Sequence, residues 1–149
     1  MALLRFPRLI PALLLAVALA GCAAAPARPG LYEQFGGQAG VEALVEEFLV
    51  RLLEDERINA QFAEVDLPNL NDRLVEQFCV ELGGPCTYTG RSMAESHAGL
   101  AITEADFNAL VEALLDAMQA RGIPRAAQNA LLARLAPMHR DIVSPRASR

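Results

Sequence analysis

Gly83-Gly84-Pro85-Cys86-Thr87-Tyr88-Thr89-Gly90-Arg91-Ser92-Met93-Ala94-Glu95-Ser96-His97-Ala98-Gly99 is the stretch that decides how this chain folds. It opens on a break that no helix passes through, because glycine accepts left-handed backbone and proline removes a hydrogen-bond donor. A second turn follows at Thr89-Gly90, and a short polar segment, predicted as a short helix, then delivers one histidine, His97. In a bundle built only for packing, such a long loop would be expensive and pointless, so its size argues that something other than side chains fills the space beside it.

On both sides of this stretch the dominant period is helical. From Gln38 to about Glu54 the apolar residues Val41, Leu44, Val45, Phe48, Leu49, Leu52 and Leu53 recur on one face. Gly36-Gly37 is a turn before it, and Leu31 to Phe35 is a short helix or turn. Asp55 to Asp66 is polar and irregular but carries Phe62. A second helix is predicted from Pro68 to about Glu81, with Pro68 in its first turn and Leu70, Leu74, Val75, Phe78 and Leu82 as its stripe. After the loop, Thr103-Glu104-Ala105-Asp106 has the form of a capping box with aspartate in the usual glutamate place. The helix it opens carries Phe107, Leu110, Val111, Leu114, Leu115 and Met118, and Gly122 stops it. A last helix runs from Pro124 through Leu131, Leu135 and Met138 to Ile142, kinked at Pro137. No β-alternation of useful length occurs, so the class is all-α.

The ends differ from this body. Arg5 and Arg8 precede an apolar run from Ile10 to Ala20 that is too short to span a bilayer as a permanent helix, and the run ends at Leu19-Ala20-Gly21-Cys22. Residues 1–21 therefore read as a signal peptide and Leu19 to Cys22 as a lipobox, with Cys22 the lipidated first residue of the mature chain. Several acyl chains on that residue would anchor it stably. Ala23 just after the cysteine carries no inner-membrane retention signal by likeness to bacterial lipoproteins, which points to the cell envelope, at the outer membrane facing the periplasm. Residues 22–30 form a flexible alanine and proline tether, 31–143 the folded domain, and 144–149 a polar, disordered tail.

Length and charge bound the function. The chain of 149 residues has room for one domain, its formal charge is −5, and it contains no lysine. Removing residues 1–21 takes away two arginines and no acid, so the mature chain is more acidic still. That charge argues against a nucleic-acid partner. There is no flavin or nucleotide motif either.

Taken in order, Leu31-Tyr32-Glu33, Gly36-Gly37, Phe48, the Gly83 to Gly90 run, Met93 with His97, and Ile102-Thr103 with Phe107 resemble a group I truncated haemoglobin. The likeness covers Leu31 to Val143 in one continuous order. It implies a shortened globin fold, two helices crossed over two, around haem b (iron protoporphyrin IX). It also implies that His97 is the proximal iron ligand, leaving the other face open to a diatomic gas such as O2, CO or NO. His139, the second histidine, sits beside Arg140 and Asp141 and reads as a solvated surface residue. Phe62 matches the family's phenylalanine that lies flat on the haem. Met93, Leu70, Leu74, Phe48, Phe78, Phe107 and Leu114 are candidates for the apolar wall, and core packing accounts for each equally well.

The distal side departs from the family's best-studied pattern. Leu49 stands where a tyrosine follows the phenylalanine, Leu70 and Leu74 stand at the second-helix pocket positions, and Gln77 occupies a place that is commonly aromatic. The resemblance with these departures implies weak O2 retention, relatively strong CO binding and poor NO dioxygenation unless Gln77 swings inward. Any reductase would be a separate protein. Two functions fit: a gas-binding haem protein of the oxygen carrier class, or an envelope lipoprotein that uses the fold as a haem-holding or scaffold module. Cys79 and Cys86 lie seven residues apart. In an oxidising compartment a disulfide could pin the loop, and two unpaired small apolar side chains fit the same spacing.

Overall fold

The computed structural model describes residues 29–143. The expected signal peptide, Cys22 of the expected lipobox, most of the expected tether and the chain from residue 144 lie outside the described residues. Helix α1 is Leu31–Gln34, α2 is Gly37–Glu54, α3 is Leu67–Leu82, α4 is Met93–His97, α5 is Glu104–Ala120, α6 is Arg125–Leu135 and α7 is His139–Ile142. One-turn 3-10 helices occur at Asn59–Phe62 and Ala136–Met138. Among the described residues there is no strand.

The helix ends are written in local chemistry. The Asp66 carboxylate accepts the Asn69 backbone N–H at the start of α3 (3.1 Å), with Pro68 in the first turn where a missing N–H costs nothing. At its other end Gly83 takes a left-handed φ of 82°, and the Gly84 N–H returns to the Cys79 carbonyl. Thr103 and Asp106 form the reciprocal box that opens α5. The threonine hydroxyl accepts the Asp106 N–H (3.2 Å), and the aspartate accepts from the Thr103 backbone (2.9 Å) and hydroxyl (2.7 Å).

Packing then follows from the apolar stripes. Val41, Leu44, Val45, Phe48 and Leu52 of α2 are buried against α3 on one side and α5 on the other. The face that α5 offers is made of Ala109, Ala113, Leu114, Ala117 and Met118, and its small residues let the two backbones approach. Helix α6 closes on α3 and α5 through Ala127 and Leu131. Its one buried polar side chain, Gln128, is satisfied by donating to the Ile123 carbonyl at 2.7 Å. Helices α2, α3, α5 and α6 thus make the two-over-two sandwich, with α4 and α7 packed on each other at one end.

The last helix differs from the sequence expectation. It does not run on to Ile142 with a kink. Pro137 has no N–H to continue the α ladder, so the chain tightens into the Ala136–Met138 turn and restarts as α7. The Asp55 to Asp66 segment contains a 3-10 turn that holds Phe62 half-buried against the core.

Two carboxylates in these joints are held below the ordinary range. The Arg57 side chain and backbone N–H do this for Asp55, and the Thr103 hydroxyl and backbone N–H for Asp106. A lowered native value means the stabilisation is complete above the ordinary carboxylate range and is lost as pH falls through the native value. Urea midpoints measured from about pH 6 down to about pH 3 should therefore fall less steeply in the Asp55→Asn, Asp106→Asn double variant than in wild type. Parallel curves would show that these contacts carry no linkage.

Candidate functional site

The site is built around a helix of five residues. Ser92 caps α4: its hydroxyl accepts the Glu95 N–H (3.3 Å), while the Glu95 carboxylate accepts from the Ser92 hydroxyl (2.6 Å) and backbone (3.0 Å). At the far end Gly99, at φ 79°, turns the chain away, followed by Ala101 at φ 52°, a left-handed conformation that a residue with a Cβ seldom adopts.

Within this turn the His97 ring nitrogen Nδ1 lies 2.8 Å from the Met93 carbonyl oxygen. A carbonyl can only accept, so Nδ1 carries a proton, and in the neutral ring the lone pair then lies on Nε2. The ring is half-buried. This is the arrangement of a metal-ligating histidine: one ring nitrogen held by a hydrogen bond and the other left for the metal.

The loop from Gly83 to Ser92 is fastened to α3 at two points. Cys79 and Cys86 are joined as a disulfide with Cα atoms 5.9 Å apart. One turn back along α3, the Glu76 carboxylate accepts from the Thr89 N–H (2.8 Å), from the Thr89 hydroxyl (3.0 Å) and from Arg73 Nη1 (2.9 Å). The Thr89 backbone donor, ahead of the hydroxyl and Arg73, holds the Glu76 carboxyl below its usual range. Arg73 Nη1 also donates to the Thr89 hydroxyl, while its Nε is buried without a partner. Gly84 threads between the disulfide and the Tyr32 ring, and a Cβ there would lie 2.7 Å from both.

The other predicted residues divide into two groups. Phe48, Phe78 and Leu114 are each 2% exposed and belong to the core, with the Phe48 and Phe78 rings 6.2 Å apart. Leu49, Phe62, Leu70, Leu74, Met93 and Phe107 are half-buried. The Gln77 amide donates to the thioether sulfurs of Met138 (3.2 Å) and Met93 (3.8 Å), so it is turned toward α4 and the turn before α7. His139 lies at the surface as its neighbours suggest, but it is paired there. It is half-buried, edge-on to Phe107 with centroids 4.6 Å apart, and bonded through Nε2 to Glu104 at 2.9 Å. Two surface hollows among the described residues, of about 250 and 240 Å³, are lined by other residues altogether.

Arg73, Glu76, Thr89, Met138 and the Glu104–His139 pair were not singled out from sequence. The i, i+3 spacing of Arg73 and Glu76 was the one visible signal, and it does not point across the loop to Thr89.

An imidazole whose Nδ1 is held by a carbonyl, in a chain that leaves Leu70, Leu74, Met93 and Phe107 half-covered, suits a flat apolar group that carries its own metal. The donor set therefore fits haem, and comparison with known proteins agrees. The Bacterial-like globin family model matches residues 30–144. The group 1 truncated hemoglobin GlbN of Mycolicibacterium paratuberculosis is 35% identical over 119 residues, covering 80% of this chain and 88% of that protein. The group 1 truncated hemoglobin of Nostoc commune is 32% identical over 114 residues, covering 76% and 97%. Among solved structures, truncated hemoglobin from Tetrahymena pyriformis in its Fe(III) form superposes with a TM-score of 0.75 at 26% identity, covering 78% of this chain and all of that one. The 2/2 hemoglobin from Synechococcus gives 0.73 at 26% identity, covering 77% and 98%. This chain belongs to the bacterial-like globins and, within them, to the group 1 truncated haemoglobins.

The tight passage at Gly84 makes a direct prediction. Gly84→Ala would push its methyl into both Cys79 Sγ and the Tyr32 ring, and should cost about 1–3 kcal/mol in urea unfolding, in the range of other overpacked sites. A variant as stable as wild type would mean that the loop does not pass between them.

Proposed function

We propose that this protein binds a diatomic gas through haem b, with His97 Nε2 as the proximal iron ligand. The observation that carries this is the His97 Nδ1 to Met93 carbonyl bond, which leaves Nε2 as the free donor. Haem, when bound, supplies an iron with one coordination position open to O2, CO or NO. Phe62, Leu70, Leu74, Met93 and Phe107 would cover its apolar faces and keep water out, with Phe48 supporting from the core.

The chain's own distal residues set the selectivity. Leu49, Leu70 and Leu74 have no hydrogen to donate, and the Gln77 amide is turned to two methionine sulfurs. A hydrogen bond is worth about 1 kcal/mol, and about 1.4 kcal/mol is tenfold in affinity. Polar O2 gains from such a donor and CO gains far less. Without one or two donors, O2 should leave about one to two orders of magnitude faster than from a pocket that has them. The same absence favours a second reading, a haem-holding or scaffold module that does not transport gas.

We further propose that Cys22 carries a lipid anchor at the lipobox from Leu19 to Cys22, placing the domain in the cell envelope, at the outer membrane facing the periplasm. A separate reductase would then keep the iron ferrous.

The test is one sample of ferrous mature protein. It should give a haem spectrum that shifts on CO addition, fast O2 dissociation by stopped flow, and no further change in Gln77→Leu. A slow O2 off-rate that stays slow in Gln77→Leu would overturn the distal account, and absence of any CO-sensitive haem spectrum would overturn the gas-binding reading.

A further inference from the structure

Helix α4 delivers His97 but has only one turn, so its position depends on what holds it, α7 against its side and the loop that precedes it. From Cys86, fixed by the disulfide, eleven residues run to His97, with Gly90 among them. A tether of that length ending in a glycine-containing turn fixes little by itself. The chain needs a second anchor nearer the histidine, and Thr89 supplies it.

The two anchors form a ladder. Cys79 pairs with Cys86, and three residues earlier on α3 Glu76 pairs with Thr89, three residues later on the loop. The loop therefore runs back antiparallel to α3, and its last anchored residue stands three positions before Ser92, the α4 cap. We propose that Glu76 and Thr89 are positioning residues for the proximal histidine: the carboxylate on α3 fixes Thr89 and thereby the placement of the α4 helix that presents His97 to iron.

The pair is suited to this work. Glu76 takes the Thr89 backbone N–H, the Thr89 hydroxyl and Arg73 Nη1 on one carboxylate, a charge-assisted set stronger than neutral bonds. The Glu76 and Arg73 side chains are 25% and 30% exposed, so water screens the group only partly. Immediately after Thr89, the Tyr88 ring folds over Gly90, where a Cβ would overlap it, and the Tyr88 hydroxyl donates to the Arg91 carbonyl at 2.9 Å. The turn beyond the anchor is thereby fixed as well, and the order set at Thr89 passes on to Ser92. Helix α3 carries Leu70 and Leu74 on one face and this anchor on another, so one rigid element sets both the distal wall and the proximal ligand.

The inference rests on the haem reading above, and its test separates the two. Resonance Raman spectra of the ferrous haem-loaded protein report the iron–histidine stretch, and transfer to an acceptor apoprotein reports haem loss. Glu76→Ala and Thr89→Val should each shift or broaden the iron–histidine band, with haem loss faster by about tenfold in Glu76→Ala, and Thr89→Ser should restore the wild-type band. Glu112→Ala, which breaks the remote Arg57 ion pair, should leave the band untouched whatever it does to stability. If Glu76→Ala does not fold, the Thr89→Val and Thr89→Ser pair carries the test. A wild-type band and haem-loss rate in both Glu76→Ala and Thr89→Val would overturn the inference. A band that survives His97→Ala would overturn the haem reading itself and this inference with it.

Discussion

A helix of five residues cannot sustain itself in water, because nucleation fixes several dihedrals for very few hydrogen bonds. The histidine we propose as the iron ligand nevertheless sits at the end of one, and its orientation depends on that turn being formed. The Nδ1 proton goes to the Met93 carbonyl only if His97 and Met93 are one helical turn apart. If the turn unwinds, the ring loses both its orientation and its fixed tautomer. Much of the structure around α4 reads as the means of holding it: the Ser92–Glu95 box at its start, α7 against its side, and the loop fastened to α3 before it.

That arrangement gives α3 two roles. Its core-facing residues Phe78, Cys79 and Leu82 are buried and lock the helix to the sandwich, which makes it a fixed reference. From that reference Leu70 and Leu74 project on one side and Glu76 reaches the loop on another, while Gln77 touches Met93 of α4 directly. The acidic, lysine-free composition takes no part in this, and the polar groups that matter at the site are few and locally paired.

Much of this was legible in the sequence because apolar spacing follows the backbone period. Helices α2, α3 and α5 fall where Val41 to Leu52, Leu70 to Leu82 and Phe107 to Met118 repeat, and Thr103 with Asp106 marks an end by chemistry visible in four residues. His97 stood out only through the ordered set of motifs around it, since one histidine in a polar segment has no signal of its own. What escaped were contacts made through space. Nothing local in Glu76 or Thr89 says that they meet, because the loop's path depends on where Gly83 sends it. His139 was read from its charged neighbours, yet after the break at Pro137 it meets Phe107 and Glu104, which are more than thirty residues away in sequence. Phe48 shows the converse, an apolar residue whose spacing fits core and pocket equally, and it packs beside Phe78 in the core.

The central claim is that His97 Nε2 is the atom this fold exists to present, and replacing the side chain with a free ligand tests it most directly. His97→Gly protein, loaded with haem and reduced, should have an altered ferrous spectrum that returns to the wild-type form when imidazole is added. A His97→Gly spectrum already identical to wild type without imidazole would contradict the account.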